Sequence, residues 1–312
     1  MPRQRIDLKR IRTVPLNARK CKVSLKEFAA LTKKGGSFKS FYDALPDVLA
    51  GQSLRGVVES IVSAFRNKKT VIFMMGAHVI KCGLSPLIVD LMRRGVIKTV
   101  ALNGAGVIHD TEIAMIGRTS EDVGEGLVDG TFGMARETAF FINDAINGGV
   151  KKGMGIGEAV GERISKKKLP HRAVSILATG YEMRVPVTVH VAIGTDIIHQ
   201  HPSANGMALG EGSLLDFRNF IYSVSRLEQG VVINFGSAVI LPEVFLKAVT
   251  VARNLGHPLK AFTSANFDML NQYRPYQNVL SRPTSTGGRS YNIIGHHELM
   301  IPLLYRAVIE RL

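Results

Sequence analysis

Three histidines and an aspartate cluster in one short stretch of this sequence, HVAIGTDIIHQHP (190–202). His190 lies within an apolar, alternating run, and His199 and His201 follow two residues apart. Between them, Gly194-Thr195-Asp196 interrupts the run with small and polar residues. Imidazole and carboxylate groups in such a pattern can bind a metal ion, or they can move protons and hold a ligand at the end of a strand.

A metal-dependent hydrolase is one interpretation of the histidines, because a second cluster, His296-His297-Glu298, lies near the C-terminus. A zinc site needs three or four convergent ligands, and no HExxH helix or CxxC pair supports one here. The two cysteines, Cys21 and Cys82, fit a reducing compartment better than a disulfide framework. We therefore predict no metal, and expect the histidines to line a pocket or an interface, with His190 in the core.

The elements that must position these residues alternate between strands and helices. Uninterrupted apolar runs occur at 70–75, 98–102 and 230–234, and each precedes a segment with helical periodicity. Strands of this kind are typical of a parallel sheet that is covered by helices on both faces. We therefore predict an α/β fold with a doubly wound parallel sheet, Rossmann-like, in which ligands bind beyond the carboxyl ends of the strands.

Small, polar, turn-forming residues mark the ends of five predicted strands. These ends are Gly76-Ala77-His78, Asn103-Gly104-Ala105-Gly106, Gly194-Thr195-Asp196, Asn234-Phe235-Gly236-Ser237-Ala238, and Thr263-Ser264-Ala265-Asn266-Phe267-Asp268. Glycines at such positions allow close backbone approach and leave N–H groups free for a phosphate. Their recurrence at one sheet edge predicts a nucleotide site. The glycine-rich segment GMGIGEAVG (153–161) is set aside, because no buried strand precedes it.

Positive charge is concentrated at the N-terminus. Residues 1–40 contain twelve Lys and Arg and only two acids, in a chain whose net charge is +15. We treat 1–40 as a basic N-terminal arm and 41–312 as a single nucleotide-binding domain. No recognition helix, zinc finger or interleaved aromatic pattern accompanies the arm, so we expect it to pack on a neighbouring subunit or to stay solvated, without a nucleic-acid partner.

Apolar segments are too short for a membrane span. None approaches the roughly 18 residues that crossing a bilayer needs, and no apolar signal-peptide core follows the basic N-terminus. We therefore expect a cytoplasmic protein with no membrane partner.

Four segments together resemble the deoxyhypusine synthase family over roughly residues 55–270. They are NGAGVIHDTEIAM, GAHVIKCGLSPLIVDLMRRG, VPVTVHVAIGTD and GVVINFGSAVILPEVFLKAV. The resemblance implies a doubly wound NAD-binding fold, with glycines under the pyrophosphate and an aspartate near the cofactor and the polyamine. It also implies a homo-oligomer, a dimer or tetramer, with sites at subunit boundaries.

The resemblance and the strand ends together assign candidate site residues. The NAD-binding residues expected are Gly76, Asn103, Gly104, Gly106, Asp196, Gly236, Ser237, Ser264 and Asp268, with the adenine end toward the last two. His109 or Asp110 would orient the substrate or move a proton, and His199 and His201 are further candidates for the general base. Substrate contacts are expected from Glu211, Arg282, Arg289 and His296, since arginine can hold a carboxylate through two parallel hydrogen bonds.

Two departures from the family concern its chemistry. Deoxyhypusine synthase uses a lysine beside a tryptophan, whereas this chain has no tryptophan and its comparable region, 273–298, has no lysine. A Schiff-base mechanism needs such an amine. We therefore predict an NAD-binding enzyme that oxidises a small amine or amino-acid-like substrate or transfers a group on it, without making deoxyhypusine. A non-catalytic nucleotide-binding protein is the second interpretation.

Overall fold

A computed structural model describes residues 5–312, which divide after Gln52 into two units. In the first unit, three short 3-10 turns, Leu8–Arg10, Leu16–Ala18 and Leu25–Glu27, precede helix α1, Phe38–Ala44. Nearly all side chains between residues 5 and 37 are exposed. Arg3, which belongs to the predicted basic arm, lies outside the described residues. The sequence placed a boundary at residue 40, and the two units divide after Gln52.

Thirteen further helices follow in the described chain. They are α2 (Leu49–Arg66), α3 (His78–Lys81), α4 (Ser85–Arg93), α5 (Gly104–Ile116), α6 (Val123–Asp129), α7 (Arg136–Val150), α8 (Ile156–Lys166), α9 (Ile176–Met183), α10 (Gly206–Ser225), α11 (Ile240–Asn254), α12 (Tyr273–Pro275), α13 (Arg282–Thr284) and α14 (His297–Ile309). A π-helical stretch, Tyr276–Ser281, joins α12 to α13, and a 3-10 turn spans Ile197–Gln200. Within residues 5–312, no helix has the length and apolar character to cross a membrane.

Six parallel strands form the sheet of the second unit. They are β1 (Val71–Met75), β2 (Thr99–Asn103), β3 (Val187–His190), β4 (Val231–Phe235), β5 (Thr263–Asp268) and β6 (Arg289–Ile294). Their order is β3-β2-β1-β4-β5-β6, so the order reverses between β1 and β4. This is the doubly wound arrangement that the unbroken apolar runs predicted, and the predicted fold class is confirmed.

Burial on both faces explains why the strands are apolar throughout. All residues of β1 and β4 are buried. One face packs Ile72 and Met74 against Phe220 of α10 and Phe245 of α11. Aromatic rings on β1, β4 and β5 also pack against one another in tilted pairs, with Phe235 centred 5.0 Å from Phe73 and 5.1 Å from Phe267.

Two strand predictions were misplaced along the chain. The segment PLKAFTS was expected to form the fifth strand, but β5 begins at Thr263, after Leu259 and Phe262 have entered the core. The third strand was expected over VPVTVHVAI (185–193), but it ends at His190. The first error arises because Leu259 and Phe262 are buried outside a strand, and the second because the apolar run continues past β3 to Ile193, which is exposed; periodicity alone distinguishes neither case from a strand.

Candidate functional site

The order of the strands reverses at the carboxyl ends of β1 and β4, where two glycines lie side by side. A Cβ on Gly76 would lie 3.0 Å from the carbonyl oxygen of Gly236. Gly236 itself has a φ of +65°, and a Cβ there would lie 2.4 Å from Nε2 of His297. Both glycines are therefore required by the packing of the protein's own atoms at the expected ligand crevice.

His297, which the sequence offered only as part of a second cluster of possible metal ligands, fills this position. It begins α14, is 2% exposed, and its Nδ1 has no hydrogen-bond partner in the described chain. Burial lowers its pKa, against the smaller opposing effect of Asp268. The predicted neighbour His296 is exposed and lies 3.8 Å from Glu298. The two adjacent histidines of this triplet therefore differ in burial, and that difference depends on the fold and not on the sequence pattern.

The turn after β4 is fixed by an amide ladder. Asn234 donates from Nδ2 to the carbonyl oxygen of Ser237 (3.0 Å) and to Oδ1 of Asn266 (2.8 Å). Nδ2 of Asn266 in turn donates to Oδ1 of Asn292. The hydroxyl of Ser237 accepts from the N–H of Leu241 in the first turn of α11. Gly236 and Ser237 are therefore held rigidly beside the N-terminus of a helix.

The carboxyl end of β2 leads directly into α5. Asn103 caps this helix by accepting from the N–H of Gly106 (3.0 Å). A Cβ on Gly104 would lie 1.9 Å from Oδ2 of Asp196, so the carboxyl group of Asp196 lies against the first turn of α5. Burial raises the pKa of Asp196, and the nearby His199 opposes this effect. The structure therefore brings Asn103, Gly104 and Asp196 together, as predicted.

Asp196 and His199 face each other with unsatisfied polar atoms. Nδ1 of His199 accepts from the N–H groups of Gly194 (3.1 Å) and Asp196 (3.3 Å), so Nε2 carries the proton of the neutral ring. That Nε2 lies 4.0 Å from Oδ2 of Asp196, and the side chains are 5% and 7% exposed. Neither atom has a hydrogen-bond partner among the described residues. Buried atoms in this state are costly unless a ligand or water completes them.

His109 lies half-buried on α5, one face of which packs against α3. Its Nδ1 is 2.6 Å from Oγ1 of Thr119. Burial, and then the charge of Lys81 on α3, lower the pKa of His109 to about 4. The imidazole is therefore neutral at physiological pH.

Asp110 and His201 both hold neighbouring segments in place. The Asp110 carboxylate accepts from the N–H groups of Ile176 (2.8 Å) and Leu177 (3.1 Å) at the start of α9, and burial raises its pKa to about 6. Nε2 of His201 lies 2.8 Å from the carbonyl oxygen of Gly133. These contacts favour structural roles, and the catalytic assignments of both residues stay predictions.

Of the two residues expected near the adenine end of NAD, only Asp268 lies at the carboxyl edge of the sheet. Asp268 is the last residue of β5, and its Oδ1 accepts a hydrogen bond from the N–H of Leu270 (3.2 Å). Ser264 was placed at a strand end, but it is the second residue of β5 and is fully buried, with an unpartnered hydroxyl. The misplaced strand explains this error.

The predicted substrate residues do not converge. Arg289 begins β6 and so lies at the amino end of the sheet, where it lines a cavity of about 400 Å³ with Glu59. Arg282 is exposed and donates to Oδ1 of Asn278 (2.8 Å). Glu211 is exposed on α10, beside a separate cavity of about 400 Å³. The structure therefore does not bring these three side chains to one substrate.

The histidines of HQHP and GHHE do not form a metal centre in the described chain. Among residues 5–312, no three or more His, Cys, Asp or Glu side chains are arranged to hold a metal ion. His190 is buried in β3, bonded to Thr188 and edge-on to Phe220, as expected of a core residue. The hydrolase interpretation therefore has no donor set here.

Comparisons with known proteins show the fold. No protein-family profile and no curated sequence matches the chain. Among solved structures, unliganded AgrE is similar at 13% identity, with a TM-score of 0.53, over 84% of this chain and 34% of that one. The ternary complex of AgrE with ornithine and NAD⁺ is similar at 14% identity, with a TM-score of 0.52, over 83% and 33%.

A candidate deoxyhypusine synthase from Entamoeba histolytica is similar over nearly its whole length. It shares 10% identity, with a TM-score of 0.51, over 88% of this chain and 94% of that one. The chain spans about a third of the AgrE structures that it matches. The predicted likeness to deoxyhypusine synthase is confirmed as a likeness of fold.

Proposed function

We propose that this protein binds NAD at the carboxyl edge of its sheet and acts on a small amine or amino-acid-like substrate. The observation that carries the proposal is the buried, unsatisfied pair formed by Oδ2 of Asp196 and Nε2 of His199 above the first turn of α5. Bound NAD would supply the hydride acceptor for oxidation of a C–H bond. AgrE, which shares this fold, forms a complex with ornithine and NAD⁺ and so supports the substrate class.

The chemistry of the Asp196–His199 pair fits a hydroxyl group. One atom accepts and the other donates, and they are 4.0 Å apart. An oxygen placed about 2.8 Å from each would subtend an angle of roughly 90° between them, close to what a hydroxyl needs to donate once and accept once. An ammonium group has no lone pair to accept from His199. The pair therefore suits a ribose hydroxyl better than the cationic end of an amine.

The switch point can take the charged part of a dinucleotide. Gly236 and Ser237 precede α11, whose first turn leaves N–H groups directed toward the edge. At the first turn of α5, by contrast, the Asp196 carboxyl group lies against Gly104 and occupies the space that a phosphate would need. We therefore place the pyrophosphate at Gly236–Ser237 and the hydroxyl at Asp196–His199. Transfer to a lysine is left out of the proposal, since residues 273–298 contain none.

Nucleotide binding tests the proposal directly. NAD, NADH, NADP⁺ and FAD are compared by thermal shift and isothermal titration, because a ligand that binds only the folded state raises Tm. Asp196→Asn and His199→Gln should each weaken NAD binding about tenfold or more, while His257→Gln, an exposed substitution after α11, should not. Equal NAD affinity in all four proteins would refute the assignment of the pair.

The second candidate function is a nucleotide-binding protein without catalysis, which the missing lysine favours. A turnover assay separates it from an enzyme. The protein is mixed with NAD and with L-ornithine, L-arginine or spermidine, and NADH absorbance is followed. NAD binding without reduction by any of the three would support the non-catalytic function. The same samples, passed over a sizing column with light scattering, test the predicted dimer or tetramer.

A further inference from the structure

A chain of three side chains determines which nitrogen of His109 is free. Oγ1 of Thr119 lies 2.5 Å from Oε2 of Glu112 and 2.6 Å from Nδ1 of His109. A carboxylate can only accept, so the single hydroxyl proton of Thr119 is directed to Glu112. The Thr119 oxygen must then accept from His109. Nδ1 therefore carries the proton of the neutral ring, and Nε2 has the lone pair.

Glu112 is held from a second side as well. Its Oε1 accepts from the hydroxyl of Thr138 on α7 (3.0 Å). His109 and Glu112 are three residues apart on α5, so they lie on the same face of that helix. Thr119 returns to this face because Gly117, with a φ of +67°, ends α5 in the left-handed conformation. The hydrogen-bonded chain Glu112–Thr119–His109, called the relay below, is thus built from α5 and the residues that follow its C-terminal cap.

We infer that His109 is the proton acceptor of the proposed site, through Nε2, and that Thr119 and Glu112 are positioning residues for it. The inference rests on the proposed function, because it requires a substrate at the edge beside α5. An N–H or O–H bond of the substrate breaks, its electron pair stays on the substrate, and a new N–H bond forms at Nε2. Glu112, acting through Thr119, then offsets the charge of the imidazolium.

His199, one of the further candidates for the base, does not have a suitable free nitrogen. Nδ1 of His199 already accepts two backbone N–H groups, so the nitrogen that faces Asp196 is a donor. Nε2 of His109, by contrast, makes no hydrogen bond within the described residues. The two histidines therefore have complementary roles, with His199 donating to a ligand and His109 accepting a proton.

Lys81 connects the strength of this base to the presence of an anion. Burial and then Lys81 lower the pKa of His109 to about 4, which keeps Nε2 unprotonated but makes it a weak base. Lys81 is exposed and has no ion pair in the described chain. A substrate carboxylate or a phosphate beside Lys81 would offset its charge and raise the proton affinity of His109 once ligand is bound. An amino acid would thereby strengthen the base that it needs.

Nitrogen-15 NMR of histidine-labelled protein tests the relay without any ligand. His109 is assigned by the resonances that disappear in His109→Gln. The wild type and Thr119→Ser should show a protonated Nδ1 and an unprotonated Nε2, whereas Thr119→Val should shift toward the Nε2-protonated form. A protonated Nε2 in the wild type, or the same tautomer in Thr119→Val as in the wild type, would overturn the inference.

Kinetics then test the catalytic part, with NAD and L-ornithine as the probe pair. His109→Gln should lower kcat about 10²- to 10⁴-fold. Thr119→Val should lower it about tenfold at unchanged KM, and Thr119→Ser should restore it. Two results would refute His109 as the base and leave the relay with a structural role, even if the predicted tautomer is found. One is an unchanged kcat in His109→Gln, and the other is NAD binding without turnover of ornithine, arginine or spermidine. Failure of NAD to bind at all would instead refute the proposed function.

Discussion

Substitution of Gly236 by alanine tests the packing at the switch point in numbers. The left-handed φ of +65° costs an alanine about 1 kcal/mol. The new methyl group would lie 2.4 Å from Nε2 of His297, and displacing that buried ring adds about 1–3 kcal/mol. We therefore expect the free energy of unfolding to fall by about 2–4 kcal/mol in total, measured by urea denaturation at constant m-value.

A matched glycine separates the two causes. Gly153 has a φ of +74°, and a methyl group added there would meet nothing within 4 Å, so Gly153→Ala should lose only the conformational part, about 1 kcal/mol. In a double-mutant cycle, Gly236→Ala should cost about 1 kcal/mol once His297→Ala has removed the ring. Equal losses in Gly236→Ala and Gly153→Ala would show that the contact with His297 has no energetic weight.

Two pKa shifts give further predictions. Lys81→Met should raise the pKa of His109 from about 4 but leave it below the ordinary value, since burial is the larger cause; NMR titration of wild type and variant measures this. Asp216, buried and bonded to the N–H groups of Gly157 and Val189, has its pKa raised to about 7 by burial, so the folded state binds a proton that the unfolded state releases. The Asp216 contribution to stability should therefore fall by up to about 4 kcal/mol as pH rises from about 4 to 7, and Asp216→Asn should lack this part of the decline in urea titrations across that range, while the part due to Asp110 remains.

The topology could be predicted because burial on both faces leaves a strong signal in the sequence. The runs VIFMM and VVINF have no polar face to alternate with, and both became central strands of the sheet. The boundaries were harder to predict. Asn103 was expected in a loop and ends β2, because its side chain caps α5 from the last position of the strand.

The proximity of some candidate residues could be predicted as well, for a different reason. Asn103, Gly104 and Asp196 were chosen as strand-end residues, and strand ends meet at one edge whatever their side chains do. Glu112 and Thr119 were not considered, because their contact with His109 depends on the turn at Gly117, and the packing of the His297 ring against Gly236 joins segments that are distant in sequence. Arg289 was chosen because an arginine can hold an anion, but it begins β6 and therefore lies at the amino end of the sheet, away from the strand ends that carry the other candidate residues.

Glycine variants at this edge need a different interpretation from the usual one. A bulkier residue at Gly104 or Gly236 would normally be taken to block a dinucleotide. Here it would first displace Asp196 or His297, whose atoms lie 1.9 Å and 2.4 Å from the added Cβ. Loss of NAD binding in such a variant could therefore result either from displacement of these side chains or from steric exclusion of the ligand. The side-chain variants Asp196→Asn and His199→Gln change hydrogen bonding at nearly constant volume, so they carry the test of the ligand site.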